Sequence, residues 1–303
     1  MKNDIYQWIN VLIASDKNYL RPYLVTIHSL CGSCKKANFR IYFAYYSNEK
    51  VNDLVDLLRK KLPKRCTLIP LQVNYFPSEK LITYLGRYKP SVYLKLFSLY
   101  FLPRSIDKVI WLDGDVIVCK DISTFYKTFD TAGSAVKGIK EIDYENKELA
   151  KSLVGEHIPF NYDLLYLNVG ILVINPLWFL ERWRNPKILD NSLISIDLSK
   201  KRKLYPEQDL INIICSGFKD VCIDSTFNFS IDTEVNYYKT KLKNISCIHY
   251  TGSKPWIKFD KTVRFQMLYW KNAFLIFPPF YFIFIFAKSV LRLIKAKLKR
   301  MLN

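Results

Sequence analysis

The 303-residue chain has little of what marks a non-globular protein. It contains only 9 Gly and 13 Pro and is 50% apolar, which excludes a disordered chain and indicates a globular one. It shows neither an internal repeat nor a low-complexity segment. Acidic residues are also scarce, because 27 Asp and Glu stand against 46 Lys and Arg, for a formal net charge of +19. Such a charge predicts an acidic partner: nucleic acid, an anionic membrane or a phosphorylated ligand.

The seven cysteines are odd in number and irregular in spacing, which is untypical of a disulfide framework. We therefore predict reduced thiols in the cytoplasm. Cys31 and Cys34, in CGSC, have the spacing of a redox or zinc site, but no second such pair exists and the motif follows a predicted helix. We interpret it as incidental. Asp4, Gln7 and Asn10 interrupt the N-terminal stretch, so we expect that it does not act as a signal peptide.

Strand-like and helix-like patterns alternate along the first two hundred residues. The predicted strands are Asn10–Ser15, Phe39–Tyr46, 66–73 and 108–113, and the predicted helices are 19–31, 51–62 and 91–102. Further along, two apolar runs are separated at Asn168–Gly170, and a helix opens at Pro206 with two acids in its first turn. This alternation predicts an α/β fold with a mostly parallel sheet that is covered on both faces.

Asp113-Gly114-Asp115 separates two apolar runs, 109–112 and 116–118. The motif lies at the carboxyl end of a predicted buried strand, which is where open α/β sheets bind their ligands. Strand alternation would place both carboxylates on the same side. A buried carboxylate is costly unless it is paired or bound to a metal. The motif is therefore either a surface turn or a site for Mg²⁺ or Mn²⁺ shared with substrate phosphate oxygens.

Five motifs, in this order, resemble glycosyltransferase family 8: VLIASDKNY, VIWLDGDVIV, YLNVGILVIN, PEQDLIN and IHYTGSKPW. The resemblance extends from about Asn10 to Trp256. It implies a GT-A fold, which is Rossmann-like, with a mostly parallel mixed sheet flanked by helices. It also implies a retaining, metal-dependent enzyme, similar to bacterial lipopolysaccharide galactosyltransferases. Such an enzyme moves galactose or glucose from UDP-galactose or UDP-glucose to a saccharide acceptor of a cell-envelope glycan.

The resemblance also implies roles for individual residues. Asp113, Asp115 and His249 would hold Mn²⁺, or Mg²⁺ in its place, against the donor's diphosphate, and imidazole suits Mn²⁺ as a borderline ligand. The implied nucleotide site consists of Ala14, Ser15, Asp16, Asn18, Asp113, Gly114, Asp115, Gly252 and Lys254. The implied sugar site consists of Lys95, Asn168, Glu207 and Gln208, and the implied catalytic residues are Gln208 and Asp209.

Several of these residues also have an explanation that needs no ligand. His249 would be a hydrogen-bonded core histidine, and Asp16 and Asn18 would be ordinary turn residues. Glu207 and Asp209 would be acids that the helix dipole favours in a first turn. The resemblance favours the ligand-binding interpretation in each case.

Retention of configuration leaves two mechanisms open. A carboxylate nucleophile would give a covalent glycosyl-enzyme intermediate. The matching position here carries the carboxamide of Gln208, which is a poor nucleophile. Front-face attack by the acceptor hydroxyl, with the departing phosphate taking the proton, is therefore favoured, and Gln208 would steady the oxocarbenium ion with help from Asp209.

The C-terminal segment combines aromatic and basic residues. Ala273–Ala287 is uncharged but shorter than the ~20 residues that a spanning helix needs, and Pro278 and Pro279 interrupt it. The amphipathic basic stretch that follows predicts an interfacial helix on an anionic membrane, the alternative being a helix docked on the protein's own core. We predict a catalytic domain at 1–260, a membrane-associating tail at 261–303, a lipid-linked acceptor, and a cytoplasmic enzyme peripheral on the inner face of the cell membrane.

Two other function classes fit the sequence less well. A sugar nucleotidyltransferase would carry a Gly-rich phosphate loop after the first strand, whereas ASDKNYLRPY contains no Gly. A nucleic-acid-binding protein would fit the basic charge, but no binding motif is recognisable and the densest basic segment is interleaved with Leu and Ile. We therefore expect no nucleic-acid partner.

Overall fold

The structure is a computed structural model that describes residues 7–14, 19–47, 51–83, 89–141, 166–194, 205–231, 240–257 and 263–278, together with residues 283 and 287. The strands are β1 (Gln7–Ala14), β2 (Ala37–Tyr46), β3 (Cys66–Val73), β4 (Val109–Leu112), β5 (Val116–Val118), β6 (Val136–Lys140), β7 (Leu167–Ile174), β8 (Lys219–Cys222), β9 (Phe229–Ser230) and β10 (Cys247–His249). The helices are α1 (Leu20–Ser33), α2 (Asn52–Lys61), α3 (Glu79–Thr83), α4 (Leu94–Ser98), α5 (Ser123–Lys127), α6 (Pro176–Arg182), α7 (Pro186–Leu193), α8 (Pro206–Ile214) and α9 (Gln266–Phe274).

Seven of the described strands form one sheet in the order β3-β2-β1-β4-β7-β6-β8. β7 runs antiparallel to its neighbours β4 and β6, and the other adjacent pairs are parallel. A smaller sheet has the order β5-β10-β9. This arrangement confirms the predicted mixed, mostly parallel α/β sheet.

Hydrophobic cores cover both faces of the large sheet. Ile9, Val11 and Ile13 of β1 belong to one core, which also contains apolar residues of α1 and α9. Leu12 belongs to a second core, with residues of α4 and α8. Because successive strand residues point to opposite faces, a strand covered on both sides reads as an unbroken apolar run.

The described part of the C-terminal segment packs on the domain. Tyr269, Trp270 and Ala273 of α9, and Ile276 just after it, are buried in the core that α1 also lines. None of the helices in the described part of the chain is long and apolar enough to cross a membrane. The basic stretch from residue 288 onward lies outside the described residues, so the predicted tail helix and the boundary at residue 260 stay predictions.

Three local predictions differ from the structure. β7 is one continuous strand through Asn168–Gly170, because its pairing with β4 and β6 extends over both apolar runs. The helix predicted at 91–102 is α-helical only over Leu94–Ser98 and is flanked by 3₁₀ turns at Pro90–Tyr93 and Leu99–Phe101. Asp113-Gly114-Asp115 is a turn between β4 and β5, and not part of a strand.

Candidate functional site

The sheet order brings three chain segments to one edge: the ends of β1 and β4 and the start of β7. β1 and β4 are parallel neighbours with Leu12 opposite Trp111, so Ala14 and Asp113 leave the sheet at the same edge. β7 is antiparallel to β4, so it begins where β4 ends, and the Asp113 amide donates to the Gly170 carbonyl at 2.9 Å. The predicted placement of the Asp-Gly-Asp motif at the carboxyl ends of the parallel strands is therefore confirmed.

The turn at Gly114 is packed against α1. A Cβ at Gly114 would lie 3.1 Å from the Cδ2 atom of the Tyr23 ring, and Thr26 Oγ1 donates to the Gly114 carbonyl at 3.1 Å. The two carboxylates therefore converge because of a tight turn, and not because of the strand alternation that we expected. One ligand atom from each of Asp113, Asp115 and His249 lies within 4.8 Å of the others.

The register of the small sheet places His249 beside Asp115. Val116 of β5 lies opposite His249 of β10, and the Tyr250 amide donates to the Asp115 carbonyl at 3.0 Å. His249 Nε2 lies 3.3 Å from Asp115 Oδ1. His249 Nδ1 lies 3.0 Å from Asn228 Oδ1, and since that oxygen only accepts, Nδ1 is the donor. In the neutral ring, Nε2 then turns a lone pair towards the carboxylates.

A series of hydrogen-bonded side chains fixes the orientation of the His249 ring. Asn228 Nδ2 donates to Asn168 Oδ1 at 2.8 Å, and Asn168 Nδ2 donates to Glu141 Oε2 at 2.6 Å. The Gly170 amide also donates to Asn168 Oδ1, at 2.9 Å. Outer partners of this kind set the tautomer and basicity of a metal-binding histidine. Asn168, which was predicted to bind sugar, is engaged in orienting His249, and a sugar contact by it stays a prediction.

Gly170 gives the His249 ring its space. A Cβ at position 170 would lie 2.2 Å from Cε1 and 2.4 Å from Nδ1 of that ring. Glycine inside a strand often marks a close approach of another group. Here the group is the proposed third metal ligand, so this position requires glycine.

The cluster fits a divalent cation. Asp115 Oδ1 is buried, and no hydrogen-bond donor among the residues that the structure describes reaches it. In the neutral ring, the Nε2 lone pair of His249 faces this oxygen, an arrangement that a shared cation would stabilise. Two carboxylates and one imidazole are suitable ligands for Mn²⁺, and Mg²⁺ accepts the carboxylates. Within the described ranges, no other group of three His, Cys, Asp or Glu residues could hold a metal.

Two lysines add positive charge to the cluster. Lys95 Nζ forms an ion pair with Asp113 and lies 4.0 Å from Glu207 Oε2, whereas Lys254 Nζ forms an ion pair with Asp115. Burial acts to raise the pKa of Asp115, but Lys254, and His249 when it is protonated, hold that pKa well below its usual range. Burial acts to lower the pKa of Lys95, but the carboxylates of Asp113 and Glu207 raise it.

The first turn of α8 faces the same edge. Burial raises the pKa of Glu207 to about 8, against the opposing effect of Lys95, and its buried Oε1 has no hydrogen-bond partner in the described structure. Gln208 Oε1 accepts from the Val169 amide at 3.2 Å. Asp209 accepts through Oδ1 from the Tyr166 hydroxyl and through Oδ2 from the Tyr205 amide at 2.8 Å. Gln208 is thus placed by β7, and Asp209 supports the helix start.

The predicted nucleotide residues are placed only in part. Ala14 ends β1, and Gly252 lies in an exposed bend that leads to Lys254. The ring of Trp256 packs edge-on against Tyr19, with their centroids 5.8 Å apart. Ser15, Asp16 and Asn18 lie outside the described residues. Ala14 therefore leaves the sheet at the same edge as Asp113, Tyr19 contacts Trp256, and the loop between Ala14 and Tyr19 stays a prediction.

The sequence did not predict four residues of the site: Tyr23, Glu141, Gly170 and Asn228. Gly170 carried a usable signal, because an isolated glycine in an apolar run suggests a close approach. Tyr23 has the pattern of a core helix residue, and its buried ring supports Gly114. Glu141 and Asn228 stand in stretches without any motif, so only the sheet order brings them to the site.

Known proteins of similar sequence indicate the family of this chain. The family model "Glycosyl transferase family 8" matches residues 10–259. A lipopolysaccharide 1,2-glucosyltransferase of Escherichia coli (strain K12) is 26% identical over 262 residues, covering 83% of this chain and 73% of that protein. A putative glycosyltransferase of Haemophilus influenzae is 27% identical over 265 residues, covering 83% of this chain and 74% of that protein.

Solved structures show the same fold. The galactosyltransferase LgtC, in complex with donor and acceptor sugar analogs, superposes with a TM-score of 0.65 at 18% identity, covering 90% of this chain and 99% of that one. The glycosyltransferase GlyE of Streptococcus pneumoniae superposes with a TM-score of 0.58 at 19% identity, covering 88% of this chain and 60% of that one. Because the family model spans most of the sequence, the chain belongs to glycosyltransferase family 8.

Proposed function

We propose that the protein is a metal-dependent retaining hexosyltransferase that moves galactose or glucose from a UDP-sugar to a saccharide acceptor of a cell-envelope glycan. The observation that carries the proposal is the convergence of Asp113, Asp115 and His249 at the carboxyl edge of the sheet. The similarity to a lipopolysaccharide 1,2-glucosyltransferase supports the choice of acceptor class. Family membership disfavours the nucleotidyltransferase and nucleic-acid-binding alternatives.

In this proposal Mn²⁺, or Mg²⁺ in its place, is held by Asp113, Asp115 and His249. When bound, the metal stabilises the charge that develops on the departing diphosphate. The chain contributes the fixed geometry of the ligands. The Gly114 turn sets the two carboxylates, and the hydrogen bond from His249 Nδ1 to Asn228 keeps Nε2 directed at them.

The nucleotide would lie between the β1 end and the bend before Lys254. Ala14, Ser15, Asp16 and Asn18 would contact the base and ribose, and Gly252 would let the backbone approach the diphosphate. Lys254 supports this placement, because its ammonium already lies beside Asp115 and donates to the Thr251 carbonyl at 3.2 Å. A small shift of that ammonium would place a cation on a phosphate oxygen.

The transferred sugar would contact the first turn of α8. The buried, unpartnered Oε1 of Glu207 is suited to a sugar hydroxyl, and Lys95 lies 4.0 Å from the other oxygen of that carboxyl. Gln208, held by the Val169 amide, would stabilise positive charge at the anomeric carbon, and Asp209 would keep the helix start in position. A carboxamide is a poor nucleophile, so we favour front-face attack by the acceptor hydroxyl over a covalent intermediate.

The acceptor is proposed to be lipid-linked, with the enzyme peripheral on the inner face of the cell membrane. α9 and the residues just after it expose apolar side chains: Met267 is 59%, Phe274 50% and Leu275 75% exposed. Exposed apolar residues followed by a basic stretch suit the surface of an anionic bilayer. α9 itself packs on the domain core, which favours a functional boundary after Pro278.

A screen of UDP-sugars for Mn²⁺-dependent release of UDP tests the reaction class, the metal and the donor together. The expected result is release from UDP-galactose or UDP-glucose that stops when the metal is chelated. Two results would contradict the proposal: equal hydrolysis of sugar donors that carry another nucleotide, or release of UDP that continues after chelation.

A further inference from the structure

The sulfur atoms of Cys31 and Cys66 face each other away from the proposed active site. Their Sγ atoms are 2.9 Å apart, although the residues are 35 positions apart in the sequence. Cys31 lies in the second half of α1, and Cys66 is the first residue of β3. A disulfide bond is about 2.0 Å long, so closure requires a movement of about 1 Å. We propose that Cys31 and Cys66 are an oxidisable thiol pair that forms a disulfide when it meets a low-molecular-weight disulfide such as oxidised glutathione.

The pair differs from the one that the CGSC motif suggests. Cys34 Sγ accepts a hydrogen bond from the Ile122 amide at 3.4 Å, whereas Cys31 Sγ contacts Cys66. Cysteine takes no part in the one metal-binding group found among the described residues, which is Asp113, Asp115 and His249. A bridge between α1 and β3 is therefore favoured over both a C-x-x-C disulfide and a zinc site.

The backbone around both cysteines is held by one side chain. The Arg65 guanidinium donates to the carbonyls of Cys31, Cys34 and Ala37, the last two at 2.8 and 3.0 Å. Arg65 also precedes Cys66 directly, and its carbonyl accepts from the Phe39 amide at 2.8 Å. These contacts tie the end of α1 to the start of β3, so the two thiols cannot separate without breaking them.

The accessibility of the two thiols sets the order of the steps. Cys66 is partly exposed, whereas Cys31 is only 2% exposed. The Cys66 thiolate attacks one sulfur of oxidised glutathione, and the first glutathione thiolate leaves. The Cys31 thiol then loses its proton and attacks the Cys66 sulfur, which expels the second glutathione thiolate. Two protons and two electrons pass from the cysteines to glutathione disulfide, which becomes two glutathione thiols.

The bridge should affect stability and leave the proposed active site alone. Cys66 pairs with Phe39, and Phe39 pairs with Ile9, so the thiols lie towards the amino ends of the parallel strands. The metal cluster lies at the opposite, carboxyl edge. A crosslink between residues this far apart in sequence restricts the unfolded chain and should raise Tm by roughly 5 to 10 °C.

Peptide mapping of the full chain under non-reducing conditions tests the proposal directly. The reduced protein is incubated with oxidised glutathione, the remaining thiols are alkylated, and the digest is analysed by mass spectrometry. We expect a peptide pair that joins Cys31 to Cys66, and a higher Tm that returns to its starting value after reduction with dithiothreitol. Quantitative alkylation of both residues, or a bridge from Cys31 to Cys34, would overturn the assignment.

Three variants separate the steps. Cys34→Ala should still form the bridge and show the same rise in Tm. Cys31→Ser should stop at a mixed disulfide between Cys66 and glutathione, and Cys66→Ser should leave Cys31 reduced. A rise in Tm in either of the last two variants would show that the stabilisation comes from elsewhere. The readouts do not involve UDP-sugars or metal, so this proposal stands or fails independently of the proposed function.

Discussion

Replacing Gly170 with Ala tests how the fold positions the third proposed metal ligand. The Gly170 amide donates to Asn168 Oδ1 and its carbonyl accepts from the Asp113 amide, both at 2.9 Å, so the strand is held on both sides. The added Cβ would lie 2.2 Å from Cε1 of His249. Because the strand is fixed, we expect the imidazole to move and Nε2 to leave its position beside Asp115.

The variant should lose more metal affinity than stability. Overpacking a buried site typically lowers the free energy of unfolding by about 1–3 kcal/mol. Disturbing the orientation of a ligating histidine lowers metal affinity by roughly 10- to 100-fold. That loss corresponds to about 1.4–2.8 kcal/mol of binding free energy. Backbone strain adds nothing to this cost, because Gly170 does not have a positive φ. Among the described glycines, that conformation is found at Gly217.

Gly138→Ala is the matched control. Gly138 lies on β6, and its Cβ would lie 2.6 Å from Leu172 Cδ2 and 3.0 Å from Leu167 Cδ1, so it overpacks apolar side chains of the neighbouring strand β7. Titration with Mn²⁺ followed by electron paramagnetic resonance gives the metal affinity, and thermal unfolding gives the stability. Both variants should lose stability, but only Gly170→Ala should lose metal affinity. Wild-type affinity in Gly170→Ala would refute the proposed role of His249.

The remaining predictions concern the ligands, the sugar site, pH and the tail. Asp113→Ala and Asp115→Ala should each abolish transfer at low Mn²⁺ while circular dichroism shows an intact fold, since each removes a proposed ligand. Gln208→Ala should slow transfer by roughly 10²-fold or more while UDP still binds in calorimetry, because the side chain would face the sugar. Burial raises the pKa of Glu207 to about 8. The protonated carboxyl contributes stability that is fully present below the pKa of Glu207 in the unfolded chain and is lost as pH rises through about 8. Glutamine does not titrate, so Tm of metal-free Glu207→Gln should fall less than that of wild type between about pH 6 and pH 9. Truncation after Pro278 removes the basic stretch but keeps Met267, Phe274 and Leu275, so it should weaken sedimentation with anionic vesicles and leave activity towards a soluble acceptor.

Each of these predictions has an outcome that would contradict it. Near-normal turnover in either aspartate variant would remove the metal assignment, and loss of UDP binding in Gln208→Ala would show that α8 contacts the nucleotide. Parallel pH profiles for wild type and Glu207→Gln would mean that the carboxyl is already ionised at neutral pH. Equal partitioning of full-length and truncated chains onto vesicles would exclude docking through the tail, and a truncated chain that fails to fold would favour a core helix.

Local sequence patterns predicted much of the fold and the centre of the site. Alternating apolar runs and helical spacings indicated the mostly parallel sheet, because strands covered on both faces must be apolar throughout. The position of Asp113 at a strand end followed from the same pattern, and the structure adds that Lys95 is its ion-pair partner. His249 was found through a family resemblance and not through its neighbours in the sequence.

The support of the site could not be read from local patterns. Asn228 meets Asn168 across 60 positions, and Lys254 meets Asp115 across 139. Strand order and register decide such contacts, and no spacing rule connects residues that far apart. The prediction that the apolar run is broken at Asn168–Gly170 was wrong for a related reason. The buried side-chain amide of Asn168 is hydrogen-bonded within a continuous strand, and its partners Glu141 and Asn228 come near it only in the folded protein.

The most direct test of the central claim is the release of UDP from UDP-galactose and UDP-glucose by the full chain, measured with Mn²⁺, after chelation with EDTA, and after Mn²⁺ is restored. The metal-dependent account predicts release from at least one of the two donors that stops with EDTA, returns with Mn²⁺, and is absent in Asp113→Ala under all three conditions. Release that continues unchanged in EDTA, or that Asp113→Ala retains, would contradict a metal-dependent transferase site at Asp113, Asp115 and His249.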